Sequence, residues 1–144
     1  MSRKLYLDTN FYLDYFLDRK DNLKPLGLYA SKLYSEAVSC RFQVLISEIV
    51  VEELCKVLKI SESLVWEKIL GGLKAREKIS QICFNEEAKQ NAGFFSEKFN
   101  LPAVDSVHLA LASGNNAILV TRDRHFDCLK DSFKIQAPEE LVFQ

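Results

Sequence analysis

Four acidic residues stand apart from the other acidic side chains because of where they lie in the sequence. They are Asp8, Glu53, Asp105 and Asp123. Asp8 directly follows the apolar run Leu5-Tyr6-Leu7, and Asp123 comes shortly after a second apolar run that ends at Val120. Taken alone, either aspartate could instead be a loop residue that caps the next helix. Their similar placement after two strand-like segments is what indicates a shared site.

Glu53 lies in a segment with helical spacing and has apolar neighbours on its own helical face. The residues three and four positions away include Ile49, Val50 and Val57, whereas the adjacent Glu52 falls on a charged stripe. Burying an unpaired carboxylate is costly, so we interpret Glu53 as a functional acid. The alternative is a glutamate that reaches solvent at the rim or pairs with a buried arginine.

Asp105 lies in a segment, residues 103–112, that is apolar nearly all round and is therefore typical of a buried helix. The alternative role is helix capping, but a cap usually precedes its helix, and Pro102 indicates that the helix has already begun. We interpret Asp105 as a functional acid. His108, one turn later, is interpreted as a histidine whose hydrogen bonds are satisfied within the fold.

Four carboxylates that converge in one cleft repel one another, which raises their pKa values. A bound divalent cation removes this repulsion, and all-oxygen ligation suits Mg²⁺ or Mn²⁺ rather than zinc. Such an ion commonly serves phosphodiester cleavage, because it activates water and stabilises the charge that develops on the leaving oxygen. The four acids therefore predict metal-dependent phosphodiester hydrolysis.

The elements that would position these acids alternate between strands and helices. Strands are predicted over residues 4–7, 42–46, 117–120 and 133–135. Helices are predicted over 10–17, 26–41, 47–59, from the cap Ser61 onward, 85–99 and 102–113. This alternation indicates an α/β fold with a mostly parallel sheet, in which sites form beyond the carboxyl ends of the strands. We expect one domain over residues 1–144.

The composition excludes several other classes of protein. The 144 residues are 48% hydrophobic with a net charge of -1, which fits one globular domain and argues against a general nucleic-acid coat protein. No apolar run approaches the roughly 20 residues of a membrane helix, and the first residues lack the pattern of a signal peptide. We expect a cytoplasmic protein with no membrane partner. The scattered cysteines, without a CxxC motif, are interpreted as buried, reduced thiols.

The chain resembles the PIN-domain nucleases in motifs that occur in the family's order and span nearly the whole sequence. The motifs are Leu7-Asp8-Thr9-Asn10, Ser47 followed six positions on by Glu53-Leu54, Pro102 to Ala110, and Leu119 to Phe126. The resemblance implies a PIN-like three-layer α/β/α fold with a mostly parallel central sheet, an acidic Mg²⁺ or Mn²⁺ site, and RNA cleavage. Many members of this size are VapC-type toxins that a VapB-type antitoxin neutralises, and many are homodimers.

The resemblance also implies roles for individual residues. The central metal ligands correspond to Asp8 and Asp105, and the set is completed, directly or through water, by Glu53 and Asp123. The groups expected to orient these carboxylates are Thr9, Asn10 and Thr121. The candidate contacts to RNA are Arg122, Arg124 and His125. One position departs from the common pattern, because His125 stands where a further aspartate often follows.

Two other functions compete with a ribonuclease. A phosphatase with an aspartate nucleophile would need a second acid two residues after Asp8, where Asn10 stands, and no glycine-rich loop or GKS/GKT motif indicates an NTPase. The second alternative is a non-catalytic PIN-like module that binds RNA or protein. Degenerate modules normally lose acids, whereas this chain keeps all four. Metal-dependent cleavage of single-stranded RNA would separate the two functions.

Overall fold

The fold is built on one parallel sheet. A computed structural model describes residues 3–39 and 41–143. The strands are β1 (Arg3–Leu7), β2 (Phe42–Ser47), β3 (Ile79–Ile82), β4 (Ile118–Val120) and β5 (Ile135–Gln136). All four neighbouring pairs are parallel, in the order β3-β2-β1-β4-β5. Helices flank the sheet, as a parallel sheet requires, so the predicted α/β class is confirmed.

Eight α-helices and one 3-10 helix connect and cover the strands in the described ranges. They are α1 (Thr9–Leu17), α2 (Leu26–Val38), α3 (Glu48–Leu58), α4 (Glu62–Lys68), α5 (Gly71–Ala75), α6 (Glu86–Phe99), α7 (Ala103–Gly114), the 3-10 helix (Arg124–Leu129) and α8 (Pro138–Val142). The predicted caps are confirmed, because the side chains of Ser47, Ser61 and Asn85 each accept a backbone N–H bond at the start of a helix. Within residues 3–39 and 41–143, none of the helices has both the length and the hydropathy that crossing a bilayer requires.

The strand order creates a topological switch point between β1 and β4. From β1 the chain passes to β2 and β3 on one side, and it returns to β4 and β5 on the other. In open α/β sheets, binding sites form in the crevice beyond the carboxyl ends of the strands at such a point. Leu7 pairs with Val120, so Asp8 and Thr121 follow the two strands at the same level. The topology therefore places Asp8 at the crevice.

The core holds the strand ends and the helices that carry the acids in fixed positions. Leu5, Tyr6 and Leu7 on the central strand are at most 1% exposed. Helix α7 packs against β1, β4 and α6, and its residues Leu109–Ala112 are fully buried, as its apolar composition predicts. Because α7 lies on β1 and β4, its first turn lies near the carboxyl ends of both strands.

Two strand predictions need correction. No strand is predicted at Ile79–Ile82, yet β3 forms there, because pairing with β2 satisfies its backbone although two of its four side chains are exposed. Such a short edge strand shows little apolar alternation. The last strand, predicted over 133–135, instead occupies Ile135–Gln136 beside β4.

Three further differences from the sequence predictions concern the end of α2, the presence of α8 and the exposure of the cysteines. Helix α2 ends at Val38 rather than Arg41, and Cys40 lies outside the described residues. Helix α8 is not predicted, although Pro138 at its first position is a known start signal. The predicted burial of the thiols is wrong for Cys83 and Cys128, which are exposed because they follow an edge strand and lie on a surface turn.

Candidate active site

Asp8 is positioned by the end of β1 and by the start of α1. One carboxylate oxygen, Oδ1, accepts a bond of 2.9 Å from the backbone N–H of Phe11 and so caps α1. The other, Oδ2, accepts a bond of 2.7 Å from the hydroxyl of Thr121. Burial raises the pKa of Asp8 to about 6, although these two hydrogen bonds oppose the rise. Asp8 therefore both caps α1 and lies at the crevice.

Glu53 is brought to the same edge by α3. Its Oε1 accepts a bond of 2.8 Å from the hydroxyl of Thr9 and lies 3.0 Å from Nε2 of His108. Burial acts to raise the pKa of Glu53, but the hydrogen bonds and the charge of His108 outweigh it, so the pKa is lowered. The partner of this half-buried glutamate is therefore a histidine, and not the buried arginine considered as an alternative.

His108 is buried and has partners on both sides of its ring. Its Nδ1 lies 2.9 Å from the hydroxyl of Tyr6, which lies 2.8 Å from the hydroxyl of Ser47, and its Nε2 faces Glu53. The histidine is thus satisfied within the fold, as the sequence indicates. This row of side chains links β2, β1 and α7 to α3 and fixes the orientation of the Glu53 carboxylate.

Asp105, Asp123 and His125 form the tightest group of potential ligands in the described residues. Nδ1 of His125 lies 2.7 Å from Oδ2 of Asp105 and 3.0 Å from Oδ1 of Asp123. One ligand atom from each residue lies within 4.8 Å of the others. The hydrogen bond to Asp105, followed by the charge of Asp123, raises the pKa of His125. Asp105 caps no helix, because α7 begins after Pro102 without a side-chain cap.

The 3-10 helix places this group beside Asp8. The side chain of Asp123 accepts a bond of 2.9 Å from the backbone N–H of His125 and so begins the turn. The hydroxyl of Thr121 accepts a bond of 3.1 Å from the backbone N–H of Asp123 while it donates to Asp8. Phe126, which is 2% exposed, anchors the turn in the core. Thr121 therefore connects the two strand ends that carry aspartates.

The group fits a divalent cation, but its members differ from the expected set. Two of the four predicted acids, Asp105 and Asp123, belong to it, and His125, expected to contact RNA, joins them. Among the residues that the structure describes, neither Asp8 nor Glu53 belongs to a group with this spacing. Two carboxylates with one imidazole nitrogen are a donor set that divalent ions of the first transition row accept. The residues present therefore fit a metal ion.

Some of the other predicted residues donate to the carboxylates, and others line an adjoining cleft. Thr9 donates to the carboxylate of Glu53, and Thr121 donates to that of Asp8. The side-chain oxygen of Asn10 accepts a bond of 3.1 Å from Nη2 of Arg19. Arg124 is exposed on the 3-10 helix.

The adjoining cleft contains a second buried acid that the sequence analysis missed. The cleft has a volume of about 260 Å³, and its lining includes Asp8, Asp14, Arg122 and Asp123. Asp14 is 4% exposed and bonds to Nε of Arg19 at 2.8 Å. A signal was present, because Asp14 lies within the aromatic helix α1, the same kind of placement that singles out Glu53.

Arg122 lines this cleft with part of its guanidinium group unpaired. Its Nη1 lies 2.6 Å from Oε2 of Glu139, and the guanidinium lies over the ring of Tyr29 at 5.5 Å. Its Nη2 is buried and has no hydrogen-bond partner in the described residues, and its buried Nε lies 3.9 Å from Oδ2 of Asp14. Buried N–H groups without partners are costly, so a ligand with acceptor oxygens would be favoured here.

The raised pKa of Asp8 predicts how the stability of the metal-free protein depends on pH. The pKa is about 6 in the folded state against an ordinary 3.8, so protonation favours the folded state. This stabilisation is fully present below about pH 4 and is lost as the pH rises through about 6, at most about 3 kcal/mol. Asp8→Asn should remove this pH dependence of the free energy of unfolding. Urea unfolding with a chelator across this range measures it, and equal slopes for parent and variant would contradict it.

The fold and the site define a class of protein, a parallel α/β domain with acidic side chains in the crevice at the switch point of its sheet. A sequence model of the PIN domain matches residues 5–131, and the chain belongs to this family. PIN domains are generally nucleases, and they generally use divalent metal ions. The match includes all four predicted acids.

Solved structures share the fold at low sequence identity. A toxin-antitoxin complex from Klebsiella pneumoniae matches with a TM-score of 0.66 and 18% identity, over 93% of this chain and 97% of that one. VapBC2 from Rickettsia felis, bound to a DNA fragment from its promoter, gives 0.64 and 19%, over 93% and 98%. VapC20 from Mycobacterium tuberculosis, described as a sarcin-ricin loop cleaving toxin, gives 0.59 and 14%, over 90% and 95%. A search of curated proteins found no match.

Proposed function

We propose that this chain is an endoribonuclease that depends on Mg²⁺ or Mn²⁺ and hydrolyses RNA phosphodiester bonds. The observation that carries the proposal is the group of Asp105, Asp123 and His125 at the crevice, with Asp8 and Glu53 held at the same edge of the sheet. Membership of a family of nucleases supports the reaction class.

The residues of this chain would hold the reacting groups in place. A divalent ion, when bound, supplies activation of water and stabilisation of the leaving oxygen. Hydrogen bonds to Asp8 from Thr121, and to Glu53 from Thr9 and His108, fix both carboxylates before substrate arrives. Such outer hydrogen bonds commonly decide metal affinity and activity, because they orient the ligands.

Arg122 is the side chain best placed to hold a phosphate group of RNA. It lines the cleft beside Asp8 and Asp123, and its Nη2 has no partner in the described residues. Guanidinium groups bind phosphate through paired N–H bonds. Arg124 is exposed nearby and could contribute charge. Because Nδ1 of His125 faces the acids, we assign the RNA contacts to the two arginines.

We also propose that the chain acts as a toxin that a VapB-type antitoxin neutralises. The support is that structural relatives are described as toxin-antitoxin complexes, and one as a toxin that cleaves the sarcin-ricin loop. A homodimer is proposed with it, since Phe16, Leu17 and Leu28 leave large apolar side chains 42–49% exposed on α1 and α2. Sedimentation that shows only a monomer at micromolar concentration would contradict the dimer.

The proposal is tested by incubating the purified chain with a circular single-stranded RNA in Mg²⁺, in Mn²⁺ and in EDTA. A circle has no ends, so its conversion to a linear molecule shows internal cleavage. We expect cleavage with either ion and none in EDTA. A chain that binds the circle equally well in all three buffers, and never cuts it, would be a binding module, and the proposed function would be wrong.

A further inference from the structure

His125 occupies a place that the four-acid description of the site does not explain. Its Nδ1 lies within hydrogen-bond distance of both Asp105 and Asp123, and the three residues offer ligand atoms within 4.8 Å of one another. The side chain is 57% exposed, so no packing in the core forces this orientation. The ring is oriented by its two contacts to the carboxylates.

Two hydrogen bonds fix the backbone of the turn that carries His125. The Asp123 carboxylate accepts the N–H of His125 at 2.9 Å, and the Asp123 carbonyl accepts the N–H of Phe126 at 3.3 Å. Phe126 is buried and prevents the turn from rotating away. The backbone of His125 is thereby held beside the carboxylate of Asp123. The His125 ring faces Asp105, which lies on α7.

The distances from Nδ1 of His125 to the two carboxylates match those between neighbouring ligands of one ion. For an octahedral ion with metal–oxygen bonds of about 2.1 Å, neighbouring ligand atoms lie about 3 Å apart. The Nδ1 atom is 2.7 Å and 3.0 Å from the two carboxylate oxygens. An ion that displaces the proton on Nδ1 could therefore take all three ligand atoms with small rotations of the side chains.

We propose that His125 is itself a metal ligand and that its nitrogen makes the site prefer Mn²⁺ over Mg²⁺. The inference rests on the proposed metal-dependent function and adds a ligand to it. Mg²⁺ is a hard ion that takes oxygen ligands, whereas imidazole nitrogen is better accepted by later divalent ions. A carboxylate at this position would give an all-oxygen set and weaken the preference for Mn²⁺.

Electron spin echo spectroscopy of bound Mn²⁺ tests the ligand directly, because a coordinated nitrogen modulates the echo. The chain has only two histidines, and both ring nitrogens of the other, His108, lie against Tyr6 and Glu53. We expect nitrogen modulation in the parent protein and none in His125→Asp or His125→Asn. Arg124→Ala, a change at the exposed neighbour on the same turn, should keep it.

Calorimetric titration with each ion provides the second readout. The ratio of the Mg²⁺ dissociation constant to that of Mn²⁺ should fall about tenfold in His125→Asp, the lower end of effects seen when metal ligation is altered. Bound Mn²⁺ without nitrogen modulation in the parent, modulation that persists in both variants, or an unchanged ratio would overturn the role of His125. If the parent still cuts RNA in those cases, the proposed function stands. If no ion binds to the parent protein, both the role of His125 and the proposed function are wrong.

Discussion

Asp105→Asn is expected to lower RNA cleavage by about 100-fold or more, since a metal ion contributes several kcal/mol to such reactions and about 1.4 kcal/mol corresponds to tenfold. The substitution keeps the shape of the side chain but removes one negative charge from the group with Asp123 and His125. Mn²⁺ should bind correspondingly more weakly. Cleavage rates and calorimetry on the same preparation measure both effects.

The stability of the metal-free Asp105→Asn protein separates a metal ligand from a structural acid. Part of the attraction to His125 is lost, together with a favourable interaction with the first turn of α7 of typically about 0.3–1 kcal/mol, but repulsion from Asp123 is relieved as well. We expect a net change below about 1 kcal/mol in the free energy of unfolding. Asp127→Asn, at an exposed carboxylate on the 3-10 helix, is the matched control. A destabilised but fully active Asp105→Asn would contradict the assignment of Asp105.

Glu53→Gln should reduce cleavage by a similar factor, whereas Glu52→Gln should change it less than about twofold, since we propose only Glu53 as part of the metal-assisted reaction. Glu53 receives hydrogen bonds from Thr9 and His108, but Glu52 on the same helix is exposed. The glutamine oxygen can still accept both bonds, so the variant isolates the loss of charge. Parallel single-turnover assays of the two variants give the comparison.

The comparison of Glu53→Gln with Glu52→Gln also tests whether Glu53 only holds His108 in place. In that case Glu53→Gln would keep most of its activity, because the hydrogen bond from His108 survives. Equal losses in the two variants would show that neither the burial of Glu53 nor its partners matter for the reaction. The apparent melting temperature of each metal-free variant shows that the fold is retained.

The sequence predicted the parts of the site that depend on strand ends and on apolar helix faces. Asp8 follows a short buried strand, and Asp105 interrupts an apolar helix. Both features are local, because they depend only on the period of apolar residues. The positions of the caps Ser47 and Asn85 were predictable for the same reason. The parallel sheet then brings distant segments together without further information.

The sequence could not predict contacts that depend on the path of a loop. His125 turns toward Asp105 because a 3-10 turn begins at Asp123, and no apolar period marks so short an element. Strand β3 has only two apolar residues, and it forms because β2 offers an unpaired edge. Asn10 lines the cleft together with Asp8, and its side-chain oxygen accepts a bond from Arg19, which follows α1.

The most direct test of the central claim follows the oxygen atom that enters the product when RNA is cut. With Mn²⁺ in oxygen-18 water, attack by water gives a linear terminal phosphate that contains one heavy oxygen, and no 2′,3′-cyclic phosphate at any time point, because the ion activates water rather than the ribose hydroxyl. We predict this product by mass spectrometry in the parent protein, and no product in EDTA or with Asp8→Asn. Cleavage that persists in EDTA, or early accumulation of cyclic phosphate, would contradict a metal-dependent hydrolase.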